Sequence, residues 1–103
     1  MAPASLTASP LMTESATVRR AMTLNIQQGL HIRACSAVVA ITTDFRGTVR
    51  IEYRDRSADA SSMFDLIQLA VLPGDDVVVE ATGPDAERVV DKIHELFSMS
   101  ALA

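Results

Sequence analysis

The chain is 103 residues long, 49% hydrophobic, and carries a net charge of −4 from 9 basic and 13 acidic residues. That length suits one small domain, and that apolar content excludes wholesale disorder. The acidic balance argues against nucleic-acid binding by phosphate neutralisation, and only 4% aromatics with no Trp argues against base stacking. The one cysteine, Cys35, leaves no internal disulfide and no multi-cysteine metal site. No cofactor and no metal are expected. The N-terminal stretch lacks the charged and apolar regions of a secretory signal. Apolar runs fall far short of the ~20 residues needed to span a bilayer. A cytoplasmic protein without membrane insertion is therefore expected.

Residues 1–15 are mostly Ala, Ser, Thr and Pro, with Pro3 and Pro10 interrupting any helix. They read as a disordered tail, within which Met12 is a candidate initiator, ahead of a folded domain over 16–103. From residue 17 the pattern changes. Val18, Met22, Leu24 and Ile26 fall at even positions, the alternation of a half-buried strand, with Arg20 intruding on its inner face. Gln27-Gln28-Gly29 ends it. Residues 32–43 predict a helix, since Cys35, Val38, Val39 and Thr42 share one face; no glycine follows to cap it. Val49, Ile51 and Tyr53 predict a second strand, Arg54-Asp55 a tight turn, and residues 56–60 a short third strand. Ser62 can cap a brief helix, with Asp65 imitating a capping box. Leu72-Pro73-Gly74-Asp75 is a turn, and Val77-Val78-Val79 begins a fourth strand running to about Ala81. Gly83-Pro84 predicts the start of a last helix, with Pro84 at its first position and Asp85 and Glu87 in its first turn. Ala86, Val89, Val90, Ile93, Leu96 and Phe97 form its buried stripe. The order β-α-β-β-α-β-α, with the middle strands joined by a tight turn, predicts an α+β fold. It is an open-faced β-sandwich: a four-stranded antiparallel sheet with three helices on one face.

Two histidines are candidates for chemistry. His94 sits among charged neighbours on the last helix and reads as a surface residue. His31 lies between a strand-ending glycine and a helix start, in Gln28-Gly29-Leu30-His31-Ile32-Arg33. Backbone amides of a helix's first turn lack acceptors within the helix and favour an anion. They disfavour an imidazolium, so a neutral, nucleophilic ring is expected. Arg33 adds a planar cationic fork for phosphate oxygens. These groups suit a phosphoryl acceptor. The short, local spacing suits a structural N-cap better still, and the residues alone leave both open.

Gly29-Leu30-His31-Ile32-Arg33-Ala34 resembles the active-site signature of the HPr family, which usually reads Gly-Leu-His-x-Arg-Pro. HPr is the histidine-containing phosphocarrier of the phosphoenolpyruvate-dependent sugar phosphotransferase system. The likeness runs from about residue 17 to residue 98. It includes Ser61-Ser62-Met63-Phe64 and the Pro73-Gly74-Asp75 turn, and the family fold has the same element order. The resemblance implies that His31 accepts a phosphoryl group at Nδ1 from phospho-Enzyme I and passes it to a histidine of an enzyme IIA-type component. Arg33 would steady the phosphate. The protein would be a monomeric, stoichiometric carrier rather than an enzyme. Ser62 falls where some members are phosphorylated by HPr kinase/phosphorylase, although a plain helix N-cap explains it fully. Met63 and Ile67 are expected to dock partners, with Phe64 and Leu66 undecided. Cys35 is expected to be inert packing. Ala34 stands in place of the family proline. Ala40, Thr43, Ser61 and Asp65 stand where members commonly carry lysines, which weakens the usual steering of acidic partners. The alternative reading is therefore a regulatory HPr-like binding domain in a phosphotransferase chain without sugar transport.

Overall fold

A computed structural model describes residues 16–102. The tail expected at residues 1–15 lies outside them. The elements run β1 (Thr17–Thr23), α1 (Ile32–Thr43), β2 (Thr48–Tyr53), β3 (Arg56–Asp59), α2 (Met63–Leu69), β4 (Asp76–Thr82) and α3 (Ala86–Ser98). The four strands form one sheet in the order β1-β4-β2-β3, and every pairing is antiparallel. With the three helices on one face, this is the expected open-faced sandwich.

Register follows from which side chains must be buried. Met22 stands opposite Val77. Val49 and Ile51 stand opposite Ala81 and Val79, and Ile51 faces Ala58 across the β2–β3 hairpin. All of these line the helical side and are buried, because alternate residues of a strand share one face. The helices cover them with aliphatic side chains. α1 contributes Ala34, Cys35 and Val38, α2 contributes Leu66 and Leu69, and α3 contributes the whole expected stripe from Ala86 to Phe97. Phe97 is the largest of the fully buried side chains.

Three details differ from the sequence reading. β1 pairs only as far as Thr23, yet Leu24 and Ile26 remain buried. Beyond Thr23 the backbone bonds elsewhere: the Leu24 amide donates to Asp75 O at 2.9 Å and the Asn25 amide to Phe97 O at 2.8 Å. Pro84 is not the first helical residue. Asp85 precedes α3 in a left-handed conformation (φ 66°, ψ 26°) and makes no side-chain cap, so the helix can begin only at Ala86. Arg20 does not spoil the inner edge of the sheet. Its guanidinium reaches α3 and pairs with Glu87 at 2.8 Å and Asp91 at 2.7 Å.

Candidate functional site

The loop before α1 is held by its backbone. Gly29 has φ +73°, and a Cβ there would stand 2.6 Å from the Val71 carbonyl oxygen. Only glycine meets both conditions. That same carbonyl accepts from the Leu30 amide at 3.0 Å, and the Leu30 side chain is buried. The Gly29 carbonyl accepts from the His31 amide at 2.9 Å. The chain therefore arrives at His31 clamped against the segment that follows α2.

His31 is the N-cap of α1, with extended backbone (φ −82°, ψ 177°). Its Nδ1 accepts from the Arg33 amide at 3.3 Å, and its carbonyl accepts from the Cys35 amide at 2.9 Å. To accept a hydrogen bond, Nδ1 must carry a lone pair, so the neutral ring holds its proton on Nε2. The ring is half-buried, and the exposed Arg33 side chain lies on the same rim. Both line a cleft of about 120 Å³ with Gln27 and Gln28 and, from the C-terminal segment, Ser100, Ala101 and Leu102. That segment is tied down by the Gln27 amide, which donates to Ser100 O at 2.9 Å. The sequence reading missed these wall residues, because no apolar period follows Phe97 to announce them. Ala34 is fully buried and continues the first turn. Cys35 is buried beneath the site, with its thiol donating to the Leu30 carbonyl at 3.5 Å; burial pushes its pKa up to about 11.

α2 packs against α1. Ser62 is its N-cap, and the hydroxyl accepts from the Asp65 amide at 3.2 Å. The capping box is only half made, since the Asp65 carboxylate accepts from the Asp59 amide at 3.4 Å rather than from Ser62. Asp59 in turn accepts from the Ser61 hydroxyl at 2.7 Å and the Ser61 amide at 2.9 Å. These bonds hold the Asp59 carboxyl below its usual pKa. The undecided pair on α2 separates cleanly: Leu66 is fully buried, and Phe64 is 69% exposed. Ile67 is exposed too, whereas Met63 is partly buried against the core. Ile32, beside His31, is 65% exposed. Ala40, Thr43 and Ser61 are exposed and uncharged. His94 is exposed on α3, away from the core stripe.

The profile of the family described as the PTS HPr component phosphorylation site matches residues 18–99. The phosphocarrier protein HPr of Cupriavidus necator is 28% identical over 81 residues, which are 79% of this chain and 91% of that protein. The phosphoryl donor subunit DhaM of a PEP-dependent dihydroxyacetone kinase, from Providencia stuartii, is 29% identical over 68 residues, or 66% of this chain. The matched region is only 14% of DhaM. Among solved structures, HPr from Bacillus anthracis superposes with a TM-score of 0.77 over 81% of this chain and 99% of its own, at 22% identity. HPr-C-His from Thermoanaerobacter tengcongensis gives 0.74 over 78% and 90%, also at 22% identity. At those identities the structural likeness speaks for the fold. The profile match over residues 18–99 makes this chain a member of the HPr family of the phosphoenolpyruvate-dependent phosphotransferase system.

Proposed function

We propose that the protein carries a phosphoryl group on His31, taken from phospho-Enzyme I and passed to a histidine of an enzyme IIA-type component. The supporting observation is the Nδ1 lone pair of His31, turned toward the first-turn amides of α1 by its bond to the Arg33 amide. Nδ1 attacks the phosphorus of the donor's phosphohistidine. The new N–P bond forms as the donor's N–P bond breaks, and that electron pair returns to the donor ring. Phosphorylation removes the Nδ1 lone pair, so the Arg33 amide loses its acceptor on the ring and gains a phosphate oxygen in its place. The Arg33 guanidinium offsets the added negative charge. Transfer onward reverses these steps, so the protein has no turnover of its own. Phe64 and Ile67, exposed on α2, and Ile32 beside the histidine supply the apolar contact for partners. The protein works as a cytoplasmic monomer.

The exposed, uncharged Ala40, Thr43 and Ser61, where family members commonly carry lysines, favour a second reading, in which the chain is a regulatory domain of a phosphotransferase branch without sugar transport. A relative described as the phosphoryl donor subunit of a dihydroxyacetone kinase fits such a branch.

Incubation with Enzyme I and labelled phosphoenolpyruvate tests the carrier step. An acid-labile, base-stable label should appear on His31. His31→Ala should lose it while remaining folded, at a cost of no more than about 1 kcal/mol for the missing cap. Label that persists in His31→Ala would remove the proposal.

A further inference from the structure

We propose that a second cleft, at the far end of α1 from His31, binds a small phosphomonoester with a hydroxylated body, of the size of a hexose phosphate. The cleft has a volume of about 460 Å³ and opens between the end of α1 and the start of α3. That volume lies within the range of small-molecule sites, roughly 300–1,000 Å³.

Its charges are what point to an anion. The chain has 9 basic residues. Arg19, Arg20 and Arg54 form ion pairs. Arg50 and Arg56 donate to Ser57 and to the Gln68 carbonyl, and Arg33 is also engaged. The three that remain are Arg46, Arg88 and Lys92, whose side chains have no hydrogen-bond or ion-pair partner among the described residues. All three line this one cleft and all three are exposed. In an acidic protein, with carboxylates available nearly everywhere, three unpaired cations on one concavity are suited to a dianion.

The rest of the lining describes the body of the ligand. Asp44 and Asp85 sit on the same rim and bring the local charge from +3 to +1. Neither forms an ion pair with the three cations. A ligand that was only anionic would leave both carboxylates without a donor and would gain less from the cations. One that also carries hydroxyl groups can donate to both. The half-buried Ile41 and Phe45 offer an apolar surface to the C–H face of a ring. The cleft is separated from His31 by the 12 residues of α1, about 18 Å of helix, so a ligand here leaves the phosphoryl-carrying site open.

The experiment is an NMR titration of the uniformly labelled full chain with glucose 6-phosphate, inorganic phosphate and glucose. Glucose 6-phosphate should move the amides of Phe45, Arg46 and Arg88 and saturate with a dissociation constant below about 1 mM. Inorganic phosphate should bind there more weakly, and glucose should not bind. The double variant Arg88→Ala/Lys92→Ala should weaken glucose 6-phosphate at least about tenfold at an unchanged thermal midpoint, and it should still be phosphorylated by Enzyme I. His31→Ala should bind as the native protein does. The proposal is overturned by an absence of saturable shifts at those amides, by shifts confined to residues 31–34, by equal binding of glucose, or by unchanged affinity in the double variant. None of these outcomes bears on whether His31 accepts a phosphoryl group.

Discussion

At His31 the cap and the proposed chemistry draw on the same lone pair. The Nδ1 to Arg33 amide contact is long, at 3.3 Å, near the weak limit for a hydrogen bond, so little is lost when the nitrogen takes up phosphorus instead. The two readings that the motif leaves open are therefore compatible: the cap aims the nitrogen that would react. Arg33 enters the proposed transfer twice, through the amide that bonds His31 Nδ1 and through its side chain, and only the side chain can be altered by substitution. Arg33→Lys keeps the charge but loses the planar fork, so transfer from Enzyme I should slow. Arg33→Ala should slow it further, while the amide of residue 33 goes on capping in both. Rates measured with labelled phosphoenolpyruvate decide this, and native rates in both variants would remove the side chain from the site. The His31 cap and its closeness to Arg33 were legible because glycine, cap and cation are neighbours in sequence. The C-terminal wall at Ser100–Leu102 was not, because it is joined to the site by a backbone bond from Gln27, which no side-chain pattern records.

Among the elements, α2 carries the clearest contest between stability and regulation. It spans only 7 residues, so losing one cap weighs heavily on it. Ser62→Ala should cost about 1 kcal/mol, read as a lower denaturant midpoint at an unchanged slope. Ser62→Asp keeps an acceptor at the cap. It also adds a third carboxylate to a corner that already holds Asp59 and Asp65, whose oxygens serve the amides of Ser61 and Asp59. Its stability should fall between the native protein and the Ala variant at low salt, and rise toward native as salt screens the carboxylates. A salt-independent loss equal to that of Ser62→Ala would mean that the cap bond of Asp does not form. A phosphoserine would meet the same carboxylates more strongly, so treatment with HPr kinase/phosphorylase and ATP is the direct test of regulation at this residue. The helix itself was readable from Ser62 and its apolar spacing. The start of α3 was not, because Gly83-Pro84 carries the signal of a helix opening while Asp85 adopts a left-handed backbone, which aspartate tolerates and no periodicity announces.

For the whole molecule, the burial of uncharged acids sets an alkaline limit on stability. Cys35 lies in the aliphatic core, and burial raises its thiol from the ordinary 9.0 to about 11. Well below pH 9.0 the thiol is protonated both folded and unfolded, and it adds no pH dependence. Above that value the unfolded chain releases the proton while the folded chain keeps it. The native state then binds more protons, so stability falls as pH rises, until the folded thiol ionises near 11. The Tyr53 hydroxyl acts in the same direction from a higher starting point. It donates to the Asp75 carboxylate, and that bond raises its pKa above the ordinary 10.0. Thermal midpoints measured from neutral pH to about pH 11 should therefore stay flat and then decline. Cys35→Ala should be less stable at every pH, because it leaves a small cavity, but its decline should begin later and be shallower. Tyr53→Phe should keep the early onset and lose slope only at the alkaline end. An early decline as steep in Cys35→Ala as in the native protein would show that the thiol is not its source.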